Sequence, residues 1–158
     1  MKTLVLGMGN ELYGDDGVGL HVIRQILSDE EIQKDFAVCN GDVYFRECSL
    51  SGLSLLDVII GYDRLIIIDT IKRADPVPGK VSILKESDLR SIPGPSPHYV
   101  SVPQAIEIGR RIGEKVPAQI DIIAVEAKNL YHLGEGLTEE MVKAIPEIIH
   151  KLKDLLAQ

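Results

Sequence analysis

The stretch LVLGMGNELYGDDGVG, residues 4–19, carries the fold in its pattern. Leu4, Val5 and Leu6 form a run too short and too apolar for anything but a buried strand, and Gly7 and Gly9 let the backbone turn sharply after it. Helical spacing resumes at Val18, Val22, Ile23, Ile26 and Leu27. The adjacent carboxylates Asp15 and Asp16 therefore fall at a helix N-terminus.

Strand, glycine turn and helix in that order raise the question of a dinucleotide site, and the residues count against it. The fingerprint G-x-G-x-x-G needs a third glycine where this chain has Leu12, and no phosphate-cradling lysine follows. A helix start that binds phosphate offers bare N–H groups and a positive dipole end, whereas Asp15 and Asp16 would repel the anion. The turn is suited to a cation. Capping also accounts for an aspartate here, at about 0.5–2 kcal/mol. Two in succession behind Gly7, Gly9 and Gly14 exceed what a cap needs, so position leaves a capping role and a metal or catalytic role open for the pair.

At 158 residues the chain fits one domain, expected to span 1–158. A fold of that size buries about 68–70% of its unfolded surface, enough for a core without staples. Cys39 and Cys48 are the only cysteines and lack CxxC spacing, which indicates neither a zinc ribbon nor a disulfide framework and fits a reducing cytoplasm. No stretch has signal-peptide or membrane-spanning character. A net charge of −7, from 17 basic and 24 acidic residues, argues against nucleic acid as the main partner. The local cluster Arg110, Arg111 and Lys115 reads as the solvated end of a helix.

Along the chain, strands are expected at residues 3–8, 65–68, 81–84 and 120–125, and helices at 16–27, around Leu53–Ile60, at 102–112 and from a Thr138 cap through Leu156. Phe36–Val38 reads as the start of a further strand, hairpinned through Asn40-Gly41 to Val43, Tyr44 and Phe45. Pro146 is expected to break or kink the last helix into two pieces. Residues 86–99, rich in proline, read as the longest irregular loop, and loops of that length inside a compact domain are usually functional or mobile. Apolar strands alternating with helices predict an α/β fold, a three-layer sandwich whose mostly parallel twisted sheet is covered by helices on both faces.

Two more residues join the aspartates. Asp69 ends RLIIID, which places a carboxylate at the sheet's carboxyl edge, where open α/β sheets bind ligands. His98 ends the proline-rich loop, just before Ser101, which with Gln104 reads as a capping box for the next helix. Taken singly, a strand-end aspartate is commonly a turn acceptor and a loop histidine a surface residue. His21 and His150 read as helix-face residues and His132 as a loop residue. Convergence on the aspartate turn sets Asp69 and His98 apart, and two carboxylates with an imidazole suit a borderline divalent ion such as nickel or zinc.

These segments resemble the hydrogenase maturation endopeptidases, which remove a C-terminal extension from the large subunit of nickel-iron hydrogenase after nickel insertion. The resemblance runs from LVLGMGNELYGDDGVG through LIIIDTI and SPHYVSVPQAIEIG to AVEAKNLYHLGEGLTEEM, nearly the whole chain. It implies that Asp16, Asp69 and His98 bind nickel supplied by the substrate, with zinc or cadmium as substitutes in vitro. It implies a cytoplasmic enzyme, a monomer, whose partner is the hydrogenase large-subunit precursor. In place of the family's glycine-rich Gly-Gly-Thr turn, associated with recognition of the precursor, this chain has Cys48-Ser49-Leu50, then Ser51 and Gly52. No serine or cysteine stands beside a histidine in a nucleophile motif. The rival readings are a non-catalytic nucleotide-binding module built on the glycine turn and a nickel carrier that cleaves nothing.

Overall fold

A computed structural model describes residues 1–37, 41–49, 53–90, 97–128, 130, 133–134 and 136–158; for 89–90 and 97–101 it describes the backbone only. The elements are β1 (Lys2–Met8), α1 (Val18–Ser28), α2 (Glu30–Ala37), β2 (Asp42–Cys48), α3 (Ser54–Ile59), β3 (Arg64–Ile71), β4 (Val81–Lys85), α4 (Pro97–Arg111), β5 (Gln119–Glu126) and α5 (Glu139–Leu156). The strands form one five-stranded sheet in the order β2-β1-β3-β5-β4. All neighbours are parallel except β4, which pairs antiparallel with β5 at the edge.

Period-two alternation sorts each strand onto two cores. Val5, Ile66, Ile68, Ile123 and Val125 pack with the buried faces of α1 and α5, while Leu4, Leu6, Leu65, Ile67 and Ile122 pack with α3 and α4. That is the three-layer α/β sandwich expected from the apolar strands. From β1 the chain steps outward to β2 and then returns to β3 on the other side of β1. The strand order thus reverses between β1 and β3, and a crevice opens at the carboxyl ends of those two strands.

Three local expectations fail for identifiable reasons. Phe36 lies in α2, not in a strand, and β2 runs parallel to β1 in the register Lys2↔Asp42 to Met8↔Cys48, so there is no hairpin. Asp29 decides this: its backbone N–H closes α1 on the Gln25 carbonyl, and its Oδ1 accepts from the N–H groups of Glu31 and Ile32, capping α2. Phe36 then packs edge-to-face on Phe45 at 5.3 Å. Secondly, α5 is one continuous helix across Pro146. The proline sits on its exposed face, where water can satisfy the carbonyl that loses its partner, while Met141, Ala144, Ile145, Ile148, Ile149 and Leu152 bury the other face. Thirdly, α4 begins at Pro97, before Ser101, so the expected capping box lies inside the helix. Proline is well suited to the first helical position because its missing N–H is one of the unpaired ones. A 3₁₀ turn at Glu86–Arg90 also occupies part of the expected loop.

At the amino ends of the strands, Arg64 and Asp121 form a buried ion pair at 2.8 Å, and Arg64 also donates to the Leu155 carbonyl at 2.9 Å, which ties α5 to the sheet. Burial raises the Asp121 carboxyl, but hydrogen bonds and charge from Lys85 and Arg64 outweigh it and hold that group below the ordinary aspartate value. A depressed carboxylate stabilises the fold above its unfolded pKa of about 3.9, and that contribution is lost as the pH falls through the lower folded value. Urea midpoints are therefore expected to drop below about pH 4. Asp121→Asn should flatten that acid limb while costing about 3–5 kcal/mol at neutral pH, as the buried Arg64 loses its charge partner.

The backbones of α1 and the sheet approach closely. A Cβ at Gly19 would meet the Ile68 carbonyl oxygen at 2.5 Å and that of Met8 at 2.7 Å, and one at Gly7 would meet the Gly19 oxygen at 2.3 Å. Alanine would gain about 1 kcal/mol of helix propensity at Gly19. Rigid backbone atoms stand in its way, so overpacking of about 1–3 kcal/mol outweighs that gain. Chemical denaturation should find Gly19→Ala destabilised on balance, with Gly134→Ala, which has open space around it, within about 0.5 kcal/mol of the parent.

Candidate active site

Beyond Met8 the chain turns through Gly9, whose φ of 153° and whose Cβ position 1.9 Å from the Asp16 carbonyl oxygen admit only glycine. A 3₁₀ turn, Gly14–Gly17, then leads into α1. Asp15 and Asp16 sit in that turn and are buried, at 7% and 9% exposure. Their environments separate them. Asp15 accepts at Oδ1 from the Thr138 backbone N–H, at 2.7 Å, and at Oδ2 from the Thr138 hydroxyl, at 2.9 Å. Thr138 occupies the N-cap position of α5, as expected, but its hydroxyl makes no cap bond within its own helix. Asp15 fastens the opening turn to that helix start. Asp16 accepts at Oδ2 from the Asn10 N–H at 2.8 Å and at Oδ1 from the Thr70 hydroxyl at 2.9 Å.

Asp69 does not end its strand; β3 runs on to Ile71, paired with β5 as far as Ile71↔Glu126. Its pairing with β1, however, stops at Gly7↔Ile68. Asp69 is therefore the first residue of β3 beyond that pairing, near the point where the strand order reverses, and it is fully buried. Its Oδ1 accepts from the Thr70 N–H at 2.8 Å. Adjacent strand residues face opposite sides of the sheet. Asp69 follows Leu65 and Ile67 toward the α3–α4 side, and Thr70 follows Ile66 and Ile68 toward α1, where Asp16 meets it.

His98 is the second residue of α4, not a loop residue ahead of a helix, and its side chain lies outside the described residues. Among the described residues, no three His, Cys, Asp or Glu side chains are placed to hold one ion. Thr70 donates to both Asp16 and Asp69, which approach it from opposite faces of the sheet, and His98 cannot be placed with them because its side chain lies outside the described residues. His21 and His150 lie on helices α1 and α5 as read, while Cys39, Leu50–Gly52 and His132 lie outside the described residues. Sequence reasoning missed Asn10, Thr70 and the Asp15–Thr138 clasp. The signal for Thr70 was its position after Asp69 in a strand, since alternation sends it to the aspartate-turn side.

Beside the turn a half-open cavity of ≈ 390 Å³ is lined by Gly9, Asn10, Leu12, Cys48 and Ser49 among others. Arg24 closes its rim, bonded at 2.8 Å to both Glu11 and Glu47. Cys48 and Ser49, which stand where the resembled family has its glycine-rich turn, are part of this wall.

The fold is an open α/β sheet with buried carboxylates, Asp16 and Asp69, near the carboxyl ends of β1 and β3. Residues 29–154 match the family described as HycI, hydrogenase maturation protease, and the chain belongs to that family of peptide hydrolases. The matched span contains Asp69 and His98; the opening turn precedes it. The hydrogenase 2 maturation protease of Escherichia coli is 27% identical over 98% of this chain and 92% of its own length. The hydrogenase expression/formation protein HupD of Rhizobium leguminosarum is 24% identical over 94% of this chain and 70% of its own. Among solved structures, the HybD maturation protease of Thermococcus kodakarensis superposes with a TM-score of 0.73 at 25% identity, covering 99% of each chain. The Escherichia coli endopeptidase HybD gives a TM-score of 0.76 over 96% of this chain and 90% of its own, a likeness of fold at 24% identity.

The two aspartates should separate experimentally. Asp15→Ala removes the charged acceptor of two part-buried hydrogen bonds from Thr138 and is expected to cost about 1–3 kcal/mol in denaturant melts. Combined with Thr138→Val, the two losses should be less than additive by at least about 0.5 kcal/mol, the signature of a direct contact.

Proposed function

We propose that this enzyme removes the C-terminal extension of a nickel-iron hydrogenase large-subunit precursor after nickel insertion, and that Asp16, Asp69 and His98 grasp the nickel carried by that precursor. The observation that supports this most is the placement of two buried carboxylates, Asp16 and Asp69, on either side of Thr70 in the crevice between β1 and β3. Two carboxylates are ready ligands for a divalent ion, and an imidazole completes a set suited to nickel. Zinc and cadmium should bind the same set.

Grasping the precursor's metal positions the scissile bond next to it, where a metal can polarise a carbonyl or activate a water. The protein's own part is orientation: Asn10 and Thr70 hold Asp16, and strand β3 holds Asp69. The cavity walled by Cys48 and Ser49 adjoins the turn and is suited to take part of the polypeptide substrate. None of the helices among the described residues is long and apolar enough to cross a membrane. In this reading the enzyme works in the cytoplasm as a monomer, where it meets its precursor.

The test is cleavage of purified precursor with and without nickel. Nickel-loaded precursor is expected to be cut once near its C-terminus and metal-free precursor left intact, with serine- and cysteine-directed inhibitors without effect. Asp69→Asn keeps the shape and loses the charge of a ligand, so it should cut the rate at least about tenfold with the melting curve little changed. Efficient cleavage of metal-free precursor would overturn the metal-recognition reading. Nickel binding without cleavage of either form would favour a carrier.

A further inference from the structure

We infer that Thr70 is a positioning residue that sets the orientation of both candidate metal ligands, an inference that rests on the reading of Asp16 and Asp69 as ligands. Threonine has two hydrogen-bond donors, its N–H and its hydroxyl. Thr70 gives the N–H to Asp69 Oδ1 at 2.8 Å and the hydroxyl to Asp16 Oδ1 at 2.9 Å. The two carboxylates come from different elements, and this one residue joins them.

Three features make Thr70 suited to the task. It is fully buried, so water does not compete for either donor. It stands on β3 opposite Val125 of β5, which fixes its backbone, while the pairing of β3 with β1 has already stopped at Gly7↔Ile68. Branching at Cβ stiffens χ1, so the hydroxyl is held in one direction. With one lone pair of Asp16 Oδ1 committed to Thr70 and one of Oδ2 to Asn10, the lone pairs left on Asp16 are fixed in direction before any metal arrives. Partners of this kind, which orient a ligand without touching the ion, typically change metal affinity about 10- to 100-fold when removed.

The experiment compares Thr70→Val, which keeps the shape and loses the hydroxyl, with Thr70→Ser, which keeps the hydroxyl. Cadmium and nickel affinities of the purified proteins are measured by calorimetric titration beside wild type and Asp16→Asn, and thermal melts report folding. Thr70→Val is expected to bind either metal about 10- to 100-fold more weakly, and Thr70→Ser to stay within about threefold of wild type. Thr70→Val binding as tightly as wild type, or Thr70→Ser losing as much as Thr70→Val, overturns the inference. Should wild type bind neither metal without its precursor, cleavage of the nickel-loaded precursor decides for Thr70, while cleavage of the metal-free precursor by wild type would overturn the metal reading itself. A lower kcat at unchanged KM in Thr70→Val, restored in Thr70→Ser, supports positioning of Asp16, and equal rates in all three overturn it. If Thr70→Val does not fold, Thr70→Ser and Thr70→Ala carry the same comparison.

Discussion

The closeness of α1 to the sheet is the constraint on which the rest depends. Gly7 and Gly19 let helix and strand backbones approach to distances that any side chain would forbid. Because α1 is pressed so near, the turn between β1 and α1 has to fold back over the strand ends, and the Gly9 conformation allows it. That turn carries Asp15 and Asp16 inward, into an apolar surrounding where an unpaired carboxylate costs several kcal/mol. Each must therefore find donors, and the donors it finds determine the architecture of the site.

The answer is a pair of threonines. Thr138 clasps Asp15 and thereby ties the start of α5 to the turn; Thr70 meets Asp16 and ties the turn to β3. Asp15 is thus committed at both oxygens to a structural contact, and Asp16 retains its place at the crevice. The strand order reverses between β1 and β3, and β3 runs on beyond its pairing with β1, which leaves Asp69 buried near that reversal. At the far end of the same strands, the buried Arg64–Asp121 pair anchors α5. The last helix is held at its start by the site and at its end by that ion pair, so the sheet's two edges are mechanically joined through α5.

Much of this was legible in the residues. Apolar runs at Leu4–Leu6, Leu65–Ile68 and Ile120–Val125 announced buried parallel strands, and the double aspartate behind a glycine turn marked the candidate site. Local pattern failed where one cap or one packed face outvoted it. Phe36 looked like a strand residue because it is aromatic and close to an Asn-Gly pair, yet Asp29 starts a helix seven positions earlier and carries Phe36 along with it. Pro146 looked like a helix breaker, yet its placement on the solvent face and the buried face opposite kept α5 whole. Asp69 was placed at the right edge of the sheet and in the wrong relation to the strand's end, since the end of pairing belongs to β1 and not to β3.

By itself the sequence determined the strand and helix periodicities, the glycines where the backbone turns, and the carboxylates at the sheet edge, because each of these is a local matter of spacing and side-chain type. Its family was legible for the same reason, in motifs that are contiguous runs of residues. Only the tertiary structure decided which threonine serves which aspartate. Thr70 lies 54 positions from Asp16 and Thr138 lies 123 from Asp15. A hydrogen bond acts over about 3 Å, and nothing in a periodic pattern encodes which distant residues will come that close; that is set by how strands order themselves in the sheet and where each one stops.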